Sequence, residues 1–478
     1  MLWLKKNMPE EFDDSVMNQA ILSAGNDVGD LAMGLFGDYT EVPYSESISE
    51  MIPATQKLID DGVVNICEAS FSYDGCFCSV DILRNLGGNK VELYEVKSST
   101  EVKDIYKEDV SYQNWVLTKL GFDVQKVCLV HINNQYVRHG ELELDKLFTI
   151  VDLTDVAKSK LSEVEDNIAK FRKYLEQETE PECKVGSQCS SPYDCGYWSH
   201  CAVDMPEDGE PTVWSISRLR DKQWYYDNGY ITFQQLYDAG VLKGNYLQQV
   251  EVELKNLPPQ IKPKEVSKFL ETLSYPLYFL DFETFNPVIP LYDKSSPYQQ
   301  IVFQYSLHYI EKEGGELKHK ECLSYPGTDP RRQIAEQLCK DIPLDVCTTA
   351  YNMGFEKGKI RDLAVLYPDL HDHLMNIHDN IKDIMIPFQK RWYYTKEMQG
   401  SYSIKYVLPA LFPDDPSLNY HNLEGVHNGG EASNTFLAMQ KMDKEELEKW
   451  REHLLRYCEL DTFAMAKVLE KLREVGKC

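Results

Sequence analysis

Several things are missing from this sequence, and each absence narrows what it can be. It contains no run of about 18 uninterrupted apolar residues, so no membrane-spanning helix is expected. Its opening, MLWLKKNMPEEFDD, holds too short an apolar stretch for a secretory signal, which makes the cytoplasm the expected compartment. There is no internal repeat and no low-complexity tract. Positive charge is scarce: Lys plus Arg is 50, Asp plus Glu is 77, and 50 − 77 = −27. That balance argues against a non-specific coat on nucleic acid, which depends on neutralising phosphates. It leaves room for an enzyme that touches nucleic acid along one basic groove.

What is present fits a globular protein of several domains. At roughly 100–200 residues per domain, 478 residues give two to four. Apolar residues are 43% and charged residues 27%, ordinary for such a chain. Thirteen cysteines in a large chain of this kind point to a metal site rather than a disulfide framework. Acidic, proline-bearing residues 203–212 (VDMPEDGEPT) and the softer break at 256–263 (NLPPQIKP) divide the chain into 1–202, a middle piece of 203–270, and 271–478.

In the first part, strands are expected at 76–84 and 90–98 around the turn NLGGN, a helix over 108–120, a strand at 127–132 and a long amphipathic helix over 158–177. The middle piece reads as helical, with Trp224, Tyr225, Phe233, Leu236 and Tyr237 as core. The third part has strands at 275–285, 301–310 and 321–325, a helix at 331–340 and a short strand at 346–351. It ends in a long helix over 444–475. Three early strands followed by helix–strand–helix is an α/β pattern resembling the RNase H topology.

Two-residue periodicity puts Val91, Leu93, Glu95 and Lys97 on one strand face. A carboxylate and an ammonium at the end of an apolar face are unfavourable unless paired or used. The preceding strand brings Asp81, so Asp81 and Glu95 can converge on one divalent cation with Lys97 beside it to orient an attacking water. A salt bridge at a strand end is the plainer alternative. With Gln113 on the following helix, the pattern resembles the PD-(D/E)XK nucleases of the RecB family, especially the CRISPR-associated RecB-like exonucleases. The resemblance implies catalytic roles for Asp81, Glu95, Lys97 and Gln113, and a restriction-endonuclease-like fold for residues 1–202. Two departures stand out. The family's upstream metal-binding His would fall in residues 25–30 (GNDVGD), where there is none, leaving Glu68 as a substitute ligand. The tyrosine of its QxxxY motif is replaced by Leu117.

Cys183, Cys189, Cys195 and Cys201 are each separated by five residues, in a segment that Gly186, Pro192 and Gly196 keep from being helical. Four thiolates suit tetrahedral Zn²⁺ or a 4Fe–4S cluster, and the spacing is not the CxxC of zinc ribbons. The position resembles the iron–sulfur staple of the same RecB-like exonucleases. In those, three cysteines follow the core and one lies near the N-terminus. No Cys precedes Cys67 here, so either Cys183 is the fourth ligand or an upstream one belongs to a longer chain.

In YFLDFETF, Asp281 and Glu283 share one face of an apolar strand and repel unless a cation lies between them. Tyr457 and Asp461 lie four apart on one face of the last helix, and residues 349–361 offer Asn352 and Glu356. In order and context these segments resemble the DnaQ-like (DEDD) 3′→5′ exonucleases of the tyrosine subclass. The resemblance implies an RNase H-like domain over 271–478, a two-metal Mg²⁺ or Mn²⁺ site held by Asp281, Glu283 and Asp461, a water-orienting Tyr457, and Glu356 in place of the usual Asp. Asp379 or Asp383 is the alternative fourth acid. Taken together, the chain resembles bacterial and archaeal fusions of a RecB-like nuclease to an RNase H-like exonuclease, joined by a small helical segment.

Residues 382–405 interleave Lys382, Lys390, Arg391, Lys396 and Lys405 with Trp392, Tyr393, Tyr394 and Tyr402, the composition either of a single-stranded binding track or of a solvated loop with anchors. The expectation is a metal-dependent nuclease that trims single-stranded DNA ends, with no membrane partner. RNA 3′-end processing, and a nucleic-acid-binding scaffold with an inactive first site, are the rival readings.

Overall fold

Two hairpins with left-handed turns start the first sheet. Asp74 and Gly75 have φ of 49° and 77°, and Gly88 and Asn89 have φ of 58° and 61°, the backbone that two-residue hairpin loops require. The structure, a computed structural model, describes residues 1–16, 19–202 and 210–476. The strands are β1 (Thr40–Glu41), β2 (Asn65–Tyr73), β3 (Cys76–Gly87), β4 (Lys90–Lys97), β5 (Asp123–Ile132) and β6 (Phe148–Asp152), side by side in chain order. β2, β3 and β4 run antiparallel. β4 and β5 are parallel, which needs a crossover, and the helix Asp104–Lys119 supplies it. Alternation gives each face its own core: Leu83, Leu93 and Val116 lie in one, and Ile82, Tyr94 and Val130 in the other.

The second sheet comprises β7 (Leu277–Phe285), β8 (Ile301–Ile310), β9 (Leu317–Leu323), β10 (Cys347–Ala350) and β11 (Ile381–Asp383), in the order β9-β8-β7-β10-β11. The first three strands are antiparallel, and β10 and β11 continue parallel to β7. Helices Arg331–Asp341, Gly354–Leu366 and His371–Asp379 cover the face carrying Tyr278, Leu280 and Phe282. Helices Gly429–Ala438 and Lys444–Gly476 cover the other, where Phe436 stacks on Phe303 at 4.1 Å and Gln304 Nε2 donates to the Leu454 carbonyl at 2.8 Å.

The chain divides into two compact units, Met1–Val203 with Pro287–Gln299, and Asp204–Asn286 with Gln300–Cys478. The helices of the middle piece therefore belong to the second unit. They enclose a small core of Val213, Ile216, Phe233, Leu236 and Val250. Residues 203–209 of the expected linker lie outside the described residues. Trp224 is 53% exposed rather than core. The expected 158–177 helix is two, Thr154–Ser159 and Leu161–Leu175, and the expected strand at 321–325 is displaced to Leu317–Leu323. Strands β2, β6 and β11 were not foreseen. The mixed α/β class stands. Among the described residues no helix is long and apolar enough to cross a membrane.

Candidate functional site

Four carboxylates of the second unit converge although they come from three elements. Asp281 and Glu283 project from the same face of β7, opposite Ser306 and Gln304 of β8. Glu356 is in the first turn of Gly354–Leu366, and Asp461 is in the middle of the last helix. Glu283, Glu356 and Asp461 are buried. Burial, followed by the negative charges of Asp461, Glu283 and Glu356, pushes the Asp281 carboxyl well above the usual range. Glu283 is raised in the same way, first by burial and then by Asp461. Glu356 is pushed up to about 8 by burial, with Asp383 and Asp461 adding to it. Asp461 reaches about 6, raised by burial and held down by the Tyr420 hydroxyl and the Lys405 ammonium. Glu356 Oε2 is buried without a hydrogen-bond partner.

Tyr457 and Tyr420 flank these acids. Tyr457 is buried, and its phenol is raised first by burial and then by Asp461, Glu283 and Asp281. Tyr420 packs against it edge-on at 6.2 Å and donates to Asp461 Oδ1 at 2.7 Å. Lys405 Nζ lies 5.5 Å from the Tyr420 ring centre and 5.9 Å from that of Tyr457. Cys458 Sγ approaches Asp281 Oδ2 at 3.9 Å, and its ligand atom lies within 4.8 Å of those of Asp281 and Glu283. Burial drives that thiol far up, and sulfur is a soft donor that a hard cation takes poorly.

The two alternative acids serve other ends. Asp383 Oδ1 accepts from the amides of Asn352 at 3.0 Å and Met385 at 2.9 Å, and Oδ2 from the Met353 amide at 3.2 Å. It fixes the turn before Glu356, where Asn352 has φ of 74°. Asp379 is exposed and paired with His378 at 2.7 Å.

Asp281 and Asp461 open into a cavity of about 420 Å³, within the usual range of ligand sites. Arg218, Asn352 and Tyr402 line it too. The Arg218 guanidinium lies 4.2 Å over the Tyr402 ring. Nothing in the sequence of the middle piece pointed to Arg218. The supporting loop is set by Gln249, whose Nε2 donates to the carbonyls of Ser215 and Gln399, each at 3.1 Å. Gly400 sits at φ +75°, a backbone conformation that glycine adopts without strain, and a Cβ there would press on the Gln249 amide that sets this loop. The expected aromatic track is corrected at two positions. Tyr393 and Tyr394 are 5% and 1% exposed, paired with Ile261 and Gln260 in a two-stranded sheet, and cannot stack on bases.

In the first unit, Asp81, Glu95, Lys97 and Gln113 also meet. Asp81 and Glu95 lie one step beyond the Ile82–Tyr94 pair of β3 and β4, where the strands part. Asp81 Oδ2 accepts from the Val96 amide at 2.6 Å. Gln113 Nε2 donates to Glu95 Oε2 at 2.7 Å, and Lys97 Nζ donates to Glu95 Oε1 at 2.6 Å and Asp109 Oδ2 at 2.7 Å. Asp109 escaped the sequence reading, although it lies one helical turn before Gln113 on the same face. Burial pushes Asp81 up to about 7, with Glu68 and Asp109 adding to it and the Val96 amide opposing. Glu95 is raised well above the usual range by burial and then by Asp81. Glu68 sits on β2 at φ 56°, accepts from Ser79 Oγ at 3.3 Å and is raised mainly by burial. It stands near enough to Asp81 to raise it.

Asp281 and Glu283 bring ligand atoms within 4.8 Å of each other, and hard oxygen donors of this kind suit Mg²⁺ or Mn²⁺, which relieve their mutual repulsion. Asp81 and Glu95 of the first unit offer donors of the same chemistry. Cys183, Cys189, Cys195 and Cys201 are free thiols. The Cys201 thiol is raised first by burial and then by Cys183, Cys195 and Cys189. Among the described residues no three of these sulfurs lie within 4.8 Å of one another, so they are neighbours without forming a closed ligand set here. Thiolates are the donors that iron–sulfur clusters and zinc take. The N-terminus folds onto this segment. The Asp13 amide donates to the Gly196 carbonyl at 2.9 Å, and the Phe12 ring meets Tyr197 at 5.2 Å.

Residues 278–403 match a family described as a domain of unknown function, DUF2779. That span contains Asp281, Glu283 and Glu356 and stops short of Tyr457 and Asp461. The chain is 28% identical over 247 residues to the uncharacterized protein UU173 of Ureaplasma parvum, covering 47% of this chain and 35% of that protein. It is 24% identical over 215 residues to the uncharacterized protein MG366 of Mycoplasma genitalium, covering 42% and 32%. The matched part thus spans about a third of the length of these relatives. No solved structure matches.

Proposed function

We propose that this chain is a metal-dependent nuclease whose principal centre consists of Asp281, Glu283, Glu356 and Asp461, acting on single-stranded DNA ends in the 3′→5′ direction. The observation that carries the reading is the gathering of these four carboxylates, raised by burial and by one another, beside an open cavity. Carboxylates arranged this way are strongly unfavourable without cations, and two cations are what in-line phosphodiester hydrolysis uses. The strand order β9-β8-β7-β10-β11, with acids on the sheet's first strand in chain order and on the last helix, supports an RNase H-like second unit. Mg²⁺ or Mn²⁺, when held here, supplies an activated water and neutralises the leaving oxygen.

The chain's own residues supply the rest. Tyr457 orients the attacking water. Tyr420 holds Asp461 in one rotamer through its 2.7 Å hydrogen bond. Arg218 and Tyr402 receive the terminal nucleotide, the guanidinium on phosphate and the ring against the base. In the first unit, Asp81, Glu95, Lys97 and Gln113 form a second phosphodiesterase centre on a restriction-endonuclease-like core. Its four cysteines hold a 4Fe–4S cluster, or zinc in its place, which pins the chain's N-terminal segment to that core.

The test is digestion of end-labelled single- and double-stranded DNA and RNA with Mg²⁺ or Mn²⁺, comparing wild type, Asp281→Ala and Lys97→Ala. Asp281→Ala should abolish stepwise 3′ shortening, and Lys97→Ala should leave it intact. Full 3′→5′ activity in Asp281→Ala would overturn the reading.

A further inference from the structure

On the same sheet face, beyond the acidic cavity, β8 and β9 place two histidines directly opposite each other in register, His308 and His319. Their rings lie 4.4 Å apart. Glu459 of the last helix brings its Oε1 to 3.8 Å from His319 Nδ1, and one ligand atom from each of the three side chains lies within 4.8 Å of the others. We infer that His308, His319 and Glu459 form a third metal site, one that takes a borderline divalent ion such as Zn²⁺.

The hydrogen bonding around the imidazoles is compatible with metal ligation. His308 Nδ1 meets Thr462 Oγ1 at 2.8 Å, and His319 Nε2 meets Ser306 Oγ at 2.9 Å. Ser306 and Thr462 join each other at 2.7 Å. Each ring therefore has one nitrogen held by a hydroxyl; His319 brings its other nitrogen, Nδ1, to Glu459, and His308 keeps Nε2 as its remaining donor. Orientation of a ligating His through its second nitrogen is the recurring outer-shell device of zinc sites. Zinc–ligand bonds of about 2.0–2.1 Å put tetrahedral donors roughly 3.4 Å apart, so the His319–Glu459 pair at 3.8 Å needs a slight closure and the separations from His308, within 4.8 Å, a larger one. Two imidazoles and one carboxylate suit Zn²⁺ or Co²⁺ far better than Mg²⁺. The fourth position is left to water. Glu321, two residues past His319 on β9, adds negative charge nearby.

The site is separate from the acidic centre, and the inference does not depend on the nuclease reading. Glu459 and Asp461 are two apart on a helix and so face different directions. The two are nonetheless mechanically joined, because Ser306 pairs with Asp281 and Glu459 shares a helix with Asp461. An ion bound here would fasten the last helix to the β8–β9 edge.

The full chain, stripped with a chelator and supplied with excess Mg²⁺, should be titrated with Co²⁺. Subtracting each variant's spectrum from that of wild type removes the cysteine contribution. The difference should show the strong visible bands of four-coordinate Co²⁺, saturating at one equivalent and displaced by Zn²⁺, for His319→Ala and Glu459→Gln alike. If His319→Ala does not fold, Glu459→Gln decides, since that side chain is half exposed and its amide leaves the imidazole pair in place. Zn²⁺ should also raise the melting temperature of wild type and not that of Glu459→Gln. A null difference spectrum for Glu459→Gln would overturn the site.

Discussion

The Tyr420 hydroxyl donates a 2.7 Å hydrogen bond to Asp461 Oδ1 across 41 positions of sequence. Burial and that carboxylate keep the phenol protonated at any working pH, so it acts as a permanent donor. It leaves Asp461 only part of its lone-pair capacity and so selects the oxygen that faces a cation. Tyr420→Phe should therefore lower Mg²⁺-dependent activity by about 10–100-fold, the usual effect of removing a group that orients a metal ligand. Asp461→Ala should cost more, and Tyr457→Phe less than Asp461→Ala. Initial rates over a Mg²⁺ series check the ordering, and an unchanged metal dependence in Tyr420→Phe would contradict it.

The raised carboxyls predict a stability profile. A group whose pKa is higher folded than unfolded binds its proton more tightly in the folded state, so its contribution is present at low pH and lost as pH rises through the folded value. Glu356 moves from 4.5 to about 8 and Asp461 from 3.8 to about 6. Metal-free protein should lose thermal stability between about pH 4 and pH 8, with Mg²⁺ restoring it at the upper end. Asp281→Ala should flatten the slope by removing a like charge. Melting curves with and without chelator decide this, and a metal-free melting temperature that rises across the window would contradict it.

Arg218 predicts a split between binding and turnover. It lines the cavity from outside the second sheet and stacks on Tyr402 at 4.2 Å. Arg218→Ala should raise KM for a single-stranded substrate roughly tenfold or more, the scale of one charge-assisted hydrogen bond, with a smaller change in kcat. Arg218→Lys should not rescue it, because lysine lacks the planar face that stacks on the ring. Equal loss of kcat in both variants would instead place Arg218 on the reacting phosphate.

The cysteine segment predicts colour. Protein purified without oxygen should be brown, with charge-transfer absorbance that Cys195→Ser weakens. Colourless protein carrying one equivalent of zinc would replace iron and keep the four-thiolate site. Loss of the ion should also loosen the N-terminus, since Asp13 and Phe12 rest on Gly196 and Tyr197 of the same segment. Faster proteolysis near residue 13 in Cys195→Ser would report it.

Local pattern was enough to read much of this protein. Alternation put Glu95 and Lys97 on one strand face, and Asp281 and Glu283 on another, because a strand's side chains repeat every two residues whatever surrounds them; the short turn between two strands brought Asp81 beside Glu95. Helical spacing likewise put Tyr457 and Asp461 on one face, and the regular cysteine spacing marked a candidate set of ligands. Long-range closure decided the rest. Tyr420, Arg218 and Lys405 reach the acids only through loops and helices whose packing carries no short-range signal. Asp383 stood in the sequence as an alternative to Glu356; the fold engages its oxygens with three backbone amides. Tyr393 and Tyr394 looked like stacking rings until the fold paired their strand with residues 260–261 and buried them. Composition alone does not separate a ring that faces solvent from one that faces a core; only the burial set by distant residues does.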